Sequence, residues 1–380
     1  MQKRKLLAAA LTTLFAVPAL ADPAPAAPAA PTLSSILDAS GISLTGDIDI
    51  SYNALSGKGQ FQNGINDRVF DYAHNSFTTQ AVDLTVAKQP AEGAGGLVDL
   101  TLGKDASTIA SFGTATSSQQ TYDLTQAYVQ YATGSLTTIA GKFVTLAGQE
   151  VIKTTGDTNF SRSILFGYAI PFTHTGVRVT YKASDAFSVI GGLNNGWDLA
   201  TDTNPTKTIE LGATWNPAKS FALTAQDYYG EEQLSGSGAS VSPQQGKRNL
   251  LDLVATFTVS DSLNFVLNPD FGSQDNAPLA NGSTGTAKWS GLAGYANYQI
   301  NDLWRVSVRA EYFDDHDGYR TNIVQRWKEA TLTVGYAPSK SMELRGEVRK
   351  DTSDKASFAY NDNINRAKQN SLGLEAIYKF

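Results

Sequence analysis

From Ile42 to the C-terminus, apolar and polar residues alternate with a period of two, the spacing of a strand with two unlike faces. In 302–314, Trp304, Val306, Val308, Ala310 and Tyr312 share one face, and Arg305, Ser307, Arg309 and Glu311 share the other. In 341–350, Met342, Leu344 and Val348 oppose Glu343, Arg345, Glu347 and Arg349. In 206–216, Ile209, Leu211, Ala213 and Trp215 oppose Thr208, Glu210 and Thr214. The pattern predicts sixteen strands, with fourteen or eighteen as neighbouring counts. They lie near 42–53, 76–88, 96–104, 121–132, 135–144, 174–183, 185–195, 206–216, 219–230, 247–259, 262–272, 287–300, 302–314, 326–337, 341–350 and 370–380. Residues 33–40 read instead as one or two helical turns ahead of Gly41.

The connections alternate strictly between long and short. Links 54–75, 105–120, 145–173, 196–205, 231–246, 273–286, 315–325 and 351–369 are long. Those between them are turns, several built from Gly, Pro, Asn, Asp or Ser, as in Asn216-Pro-Ala-Lys219 and Ala337-Pro-Ser-Lys-Ser341. A meander of hairpins, tight on one side and long-looped on the other, is the pattern of an outer-membrane barrel.

The two faces argue the same way. One is oily and the other carries full charges. A closed barrel accounts for both, with hydrocarbon outside and water inside. Closure is needed because an open sheet edge in lipid would strand unpaired N–H and C=O groups. About ten residues at roughly 3.3 Å each, tilted near 45°, cover about 23 Å, close to the apolar band of such barrels. The fold class expected is therefore all-β, a transmembrane antiparallel up-and-down barrel over 42–380. Tyr52, Tyr131, Tyr181, Trp215, Tyr298, Trp304, Tyr336 and Tyr378 fall near strand ends, where interfacial rings belong.

Composition adds the compartment. Lys3, Arg4 and Lys5, the apolar run from Leu6 to Val17 and the small residues Ala19 and Ala21 read as a signal peptide over 1–21. Its removal would take the net charge from −6 to −9, so there is no basic excess for a nucleic-acid partner. Residues 22–31 alternate Pro and Ala, and 22–41 read as a periplasmic linker ending in the short helix. The chain has no cysteine, which excludes disulfides and thiol chemistry. Leu372, Leu374, Ala376, Tyr378 and Phe380 repeat every second residue. Tyr378 and the terminal Phe380 are the candidate signal for the barrel-assembly machinery.

The stretches ILDASGISLTGDIDISYN (36–53), SRSILFGYAIPFTHTGVRVTYKASDAFSVIGGLNNGWD (161–198) and NPAKSFALTAQDYYGEE (216–232) resemble the OmpL-like putative beta-barrel porin-2 family. That resemblance implies passive transport across the outer membrane. It assigns no solute and no functional residue.

By analogy with sixteen-stranded general porins, the third long loop, 145–173, is expected to fold inward and narrow the pore. It carries Glu150, Lys153, Asp157 and Arg162, and apolar residues from Ile164 to Phe172 able to pack on an inner wall. Arg178, Arg305, Arg309, Arg345 and Arg349 read as lumen-facing, as do Lys182, Asp47, Asp49, Asp83, Asp99, Asp252, Glu210, Glu311, Glu343, Glu347 and Glu375. Such rings of charge set ion preference. The expected arrangement opposes the late-strand arginines to Glu150 and Asp157. The same analogy suggests a homotrimer embedded among membrane lipid and lipopolysaccharide. No cofactor is implied. Two other readings remain. One is a non-conducting adhesin or structural barrel. The other is an outer-membrane lipid hydrolase using Ser76 beside His74. Within 314–318, Asp-Asp-His-Asp-Gly could hold a divalent cation.

Overall fold

Alternating strands of this kind are stable only when each backbone ladder finds a partner on both sides. The computed structural model, which describes residues 31–57, 68–71, 73–114, 120–235, 241–360 and 364–380, meets that condition by closing into a barrel. The strands are β1 (Ser43–Leu55), β2 (Ser76–Lys88), β3 (Gly93–Leu102), β4 (Tyr122–Thr133), β5 (Leu136–Val144), β6 (Thr173–Lys182), β7 (Phe187–Asn194) and β8 (Thr208–Ala218). They continue as β9 (Phe221–Ser235), β10 (Val241–Ser260), β11 (Leu263–Pro278), β12 (Thr284–Gln299), β13 (Trp304–Asp315), β14 (Gln325–Ser339), β15 (Met342–Ser353) and β16 (Lys368–Lys379). Each pairs antiparallel with the next, and β16 pairs with β1 from Asp47↔Lys379 to Leu55↔Ser371. The expected sixteen strands are thus present, in the expected order. Helix α1 (Leu33–Ser40) precedes the barrel, its N–H groups capped by the Thr32 hydroxyl, which accepts from the Ser35 amide at 3.2 Å. The signal-peptide segment and most of the linker, residues 1–30, lie outside the described residues.

Two expected loops shrink. Strand pairing runs through most of 231–246 and 273–286, leaving only 236–240 and 279–283 between strands. The oily alternation ends where the bilayer ends, but a ladder can continue into water with polar side chains on both faces. Periodicity therefore marks the membrane band rather than the strand.

The burial pattern is inverted relative to a soluble protein. Val177, Leu211, Trp215, Val308, Leu344 and Leu372 are exposed on the outside, where lipid covers them. Asp49, Asp99, Glu210, Asp252, Arg309 and Arg345 are buried inside. Tyr131, Tyr181, Trp215, Tyr298, Trp304 and Tyr378 are exposed at the short-turn end, an interfacial belt. Lys182 keeps the inward parity of Arg178 and Thr180 but stands at the end of β6, exposed at the β6–β7 turn, where it binds Asp185 at 2.7 Å.

Closure rests on the last residue. The Phe380 amide donates to the Gly46 carbonyl and the Gly46 amide to the Phe380 carbonyl, both at 2.9 Å. The Phe380 ring lies where a Gly46 side chain would begin, within 2.6 Å of an added Cβ, with the Asp83 carbonyl as near on another side. Gly46→Val should therefore overpack the seam and cost about 1–3 kcal/mol. The expected readout is a lower unfolding midpoint and a smaller fraction migrating as the compact barrel in unheated electrophoresis.

Candidate functional site

The segment between β5 and β6, residues 145–172, runs through the lumen and touches the wall most of the way round. Its stem meets β9, β10 and β11: the Leu146 amide donates to the Tyr228 hydroxyl at 3.2 Å, and the Gln149 amide to Asn268 Oδ1 at 2.9 Å. Asn268 in turn donates to Asp252 Oδ2 at 2.6 Å. Further along, Lys153 reaches across to β2 and β3, binding Asp99 at 2.8 Å and donating to Thr85 Oγ1 at 2.5 Å. The next residues lie on β15 and β16. Arg345 donates to the carbonyls of Thr154, Asp157 and Asn159 at 2.9–3.3 Å, and pairs with Glu375 at 3.0 Å.

The returning half of the loop is held by carboxylates that accept its backbone amides. Glu347 takes the Phe160 and Ser161 amides at 2.8 and 3.0 Å. Glu311 takes those of Ile164 and Leu165 at 3.0 and 3.1 Å, at the start of helix α3 (Ile164–Tyr168). These are orphan donors that a short helix cannot satisfy itself. Phe160 lies against Gly373, where an added Cβ would meet its ring at 2.4 Å. The apolar residues expected to pack inward do so. Ile164, Leu165, Phe166 and Ile170 join Phe70, Trp289, Trp327 and Phe358 in one buried cluster inside the barrel.

Arg309 is the centre of this arrangement. Its guanidinium binds Glu150 at 2.6 Å, Glu329 at 2.8 Å and Glu311 at 3.2 Å, and donates to the Ser161 carbonyl at 2.6 Å. Arg349 pairs with Asp351 at 2.7 Å and donates to the Arg162 carbonyl at 2.7 Å. Within the loop, Arg162 pairs with Asp157 at 3.0 Å, and the Val151 amide donates to Asp157 Oδ1 at 2.9 Å. Glu150 and Asp157 thus touch the arginine side directly rather than facing it across a gap. Acids on other parts of the wall include Asp47, Asp49, Asp83 and Asp99 of β1–β3 and Glu210, Asp252 and Asp270 of β8, β10 and β11. Arg178 is elsewhere, on β6, paired with Glu210 at 2.8 Å and lying 4.2 Å from the Phe143 ring.

Exposure separates these charges into two groups. The side chains of Arg309, Arg345 and Arg349 are at most 1% exposed. Lys153 keeps 27% and Arg305 18%. Arg305 binds Glu343 and donates to the Thr158 carbonyl at 2.6 Å.

Four participants were not picked out from sequence: Glu329, Asp351, Arg68 and Asp105. Glu329 shares its face with Trp327, so the inner side of β14 looks mixed in sequence. Arg68 binds Asp351 at 2.7 Å and also pairs with Asp71, from a loop without periodicity. Asp105 lies in helix α2 (Lys104–Ile109), and its Oδ1 has no hydrogen-bond partner. Burial pushes its carboxyl up from 3.8 to about 7, outweighing the pull of Arg162, with Asp83, Glu375 and Asp71 pushing the same way. Burial likewise pushes Asp157 up to about 7 against Arg162.

Both groups hold a proton in the fold at a pH where the unfolded chain has lost it. Their contribution to stability should therefore be greatest in acid, fall as pH rises from about 4 to about 7, and level off above that. Asp105→Asn should shrink this slope and be more stable than the parent at pH 8. Denaturant midpoints in detergent across that range check it.

The hydrolase geometry does not form. His74 Nδ1 accepts the Leu55 amide at 2.9 Å, and the Ser76 hydroxyl donates to the Phe77 carbonyl at 3.1 Å. In the acidic turn, Asp315 accepts the amides of Tyr319, Arg320 and Thr321 at 2.7–3.0 Å, so this carboxylate closes its own loop.

Solved structures with this architecture include the outer membrane channel DcaP of Acinetobacter baumannii. It is 16% identical, with a TM-score of 0.60 over 89% of this chain and 97% of that one. OmpT of Vibrio cholerae in its trimer form is 11% identical, with a TM-score of 0.60 over 89% and 99%. OprB of Pseudomonas putida is 15% identical, with a TM-score of 0.57 over 91% and 96%. At such identities the likeness speaks for the fold. No curated protein matches the sequence. The profile of the family described as "Putative beta-barrel porin-2, OmpL-like" matches residues 41–380. With a closed sixteen-stranded barrel, oily outside and charged inside, the chain belongs to that family and is a porin of the outer membrane.

Proposed function

We propose that this porin passes small hydrophilic solutes or ions by passive diffusion through the part of the lumen that loop 145–173 leaves open. The observation behind this is the difference in exposure: Arg309, Arg345 and Arg349, which anchor the loop, are dry, whereas Lys153 and Arg305, which also bond between loop and wall, stay wet. In this reading Arg309, Arg345 and Arg349 anchor the loop to the wall. Glu150, Asp157 and Arg162 fix its shape. Lys153 and Arg305 meet the solute, and Arg178 braces the far wall with Glu210. No reaction is assigned to the chain.

The remaining assignments follow from the same frame. Residues 1–21 act as a cleaved signal peptide, 22–41 as a periplasmic linker and 42–380 as the barrel. Tyr378 and Phe380 present the last strand to the assembly machinery. A homotrimer is favoured by the trimer form of Vibrio cholerae OmpT, and chemical crosslinking in detergent tests it.

The deciding experiment is single-channel recording of the refolded mature chain in planar bilayers. Discrete, ohmic steps are expected. A bilayer that stays silent with folded protein inserted would favour the sealed structural barrel instead.

A further inference from the structure

On β14, β15 and β16 the lipid-facing rungs can be followed across three strands. Leu332, Val348 and Leu372 form one apolar rung. The next rung toward the long loops holds Ala330, Lys350 and Asn370, and the one beyond holds Lys328, Thr352 and Lys368. Three exposed ammonium groups therefore stand within two rungs, directly above the oily band. From strand geometry, Lys328 and Lys368 start about 10 Å apart, with Lys350 roughly 7 Å below their rung.

These lysines are not balanced by the protein. Lysine ion pairs among the described residues involve Lys142, Lys153, Lys182 and Lys207. Glu329 and Asp351, next to them in sequence, point into the barrel and bind arginines there. Arg326 is tied to Asp314 at 3.3 Å, and Asp354 accepts the Arg326 amide at 2.8 Å. Lys328 Nζ lies 5.8 Å from the exposed Tyr312 ring. Single exposed lysines are weak sites. A cluster at the level where headgroups begin, with the nearest outer-face carboxylates, Asp314 and Asp354, both engaged at Arg326, presents a positive field to an anionic headgroup.

We propose that Lys328, Lys350 and Lys368 dock the phosphate groups of a phosphorylated outer-leaflet glycolipid, whose acyl chains lie on Leu332, Val348 and Leu372. The phosphates supply the charge that the wall lacks, and the rung below continues the contact as hydrocarbon. The assignment rests on the long loops facing outward.

The test uses the full barrel in detergent micelles with diphosphorylated lipid A, bound lipid being counted by native mass spectrometry. The parent should bind at least tenfold more tightly than a Lys328→Gln/Lys350→Gln/Lys368→Gln variant. A Lys88→Gln/Lys219→Gln/Lys340→Gln variant, with the same charge loss at the short-turn end, should bind like the parent. Dephosphorylated lipid A should bind the parent no better than diphosphorylated lipid binds the first variant. Equal binding by both triple variants would overturn the proposal. So would inorganic phosphate competing at concentrations comparable to the lipid, which would indicate a simple phosphate site. A first variant that keeps its lipid but loses oligomeric state would reassign the lysines to a protein contact and also overturn it.

Discussion

Arg309→Ala is expected to destabilise the barrel by about 3–5 kcal/mol and to enlarge its conductance. The guanidinium is fully buried and binds Glu150, Glu311 and Glu329. Removing one partner of a buried ion pair leaves the other desolvated and unpaired, and that penalty sets the magnitude. Arg349, 3.4 Å from Glu329, can relieve only part of it. The loop also loses the bond from Arg309 to the Ser161 carbonyl, so it should leave the wall more often. Denaturant midpoints and single-channel records on the same preparation test both effects. Arg309→Lys should recover part of the stability, since charge returns without the forked geometry. Unchanged stability and conductance in the alanine variant would remove Arg309 from its role as anchor.

Lys153→Ala combined with Arg305→Ala should turn ion preference sharply toward cations, with the loop still held by Arg309, Arg345 and Arg349. Lys153 and Arg305 are both inward-facing cations that keep water contact. Removing Lys153 also uncovers Asp99, beside Asp83 and Asp47. In a water-like medium a unit charge about 6 Å from an ion is worth about 0.7 kcal/mol, or roughly tenfold in the ratio of cation to anion. Two such charges act in the same direction, and the gain should shrink as salt rises. Reversal potentials in asymmetric potassium chloride measure it. If they stay at the parent value, the solute path runs elsewhere.

The two predictions separate residues that sequence alone places in one class. Arg305, Arg309, Arg345 and Arg349 all occupy lumen-facing positions of alternating strands, and their parity is plain in the sequence. Parity says which side of the wall a residue takes. It does not say whether water or another segment covers it there. Arg305 stands near the short-turn end and stays partly wet, whereas Arg309 meets Glu150, 159 residues away in sequence. Glu329 escaped notice for a related reason, because Trp327 shares its face and makes that face look mixed. The extended hairpins of β9–β10 and β11–β12 were invisible because hydrophobic periodicity stops at the membrane boundary while hydrogen bonding does not.

What the sequence determined by itself is the wall: strand number, order, facing and the side of the long loops. Those follow from a local rule, one residue in and one out, repeated against hydrocarbon. What only the tertiary structure decided is the filling of that wall. The placement of residues 145–172 depends on carboxylates from β13 and β15 finding loop amides, and on arginines finding loop carbonyls. No periodic signal encodes those meetings, since each joins positions far apart in the chain whose contact exists only after the barrel has closed.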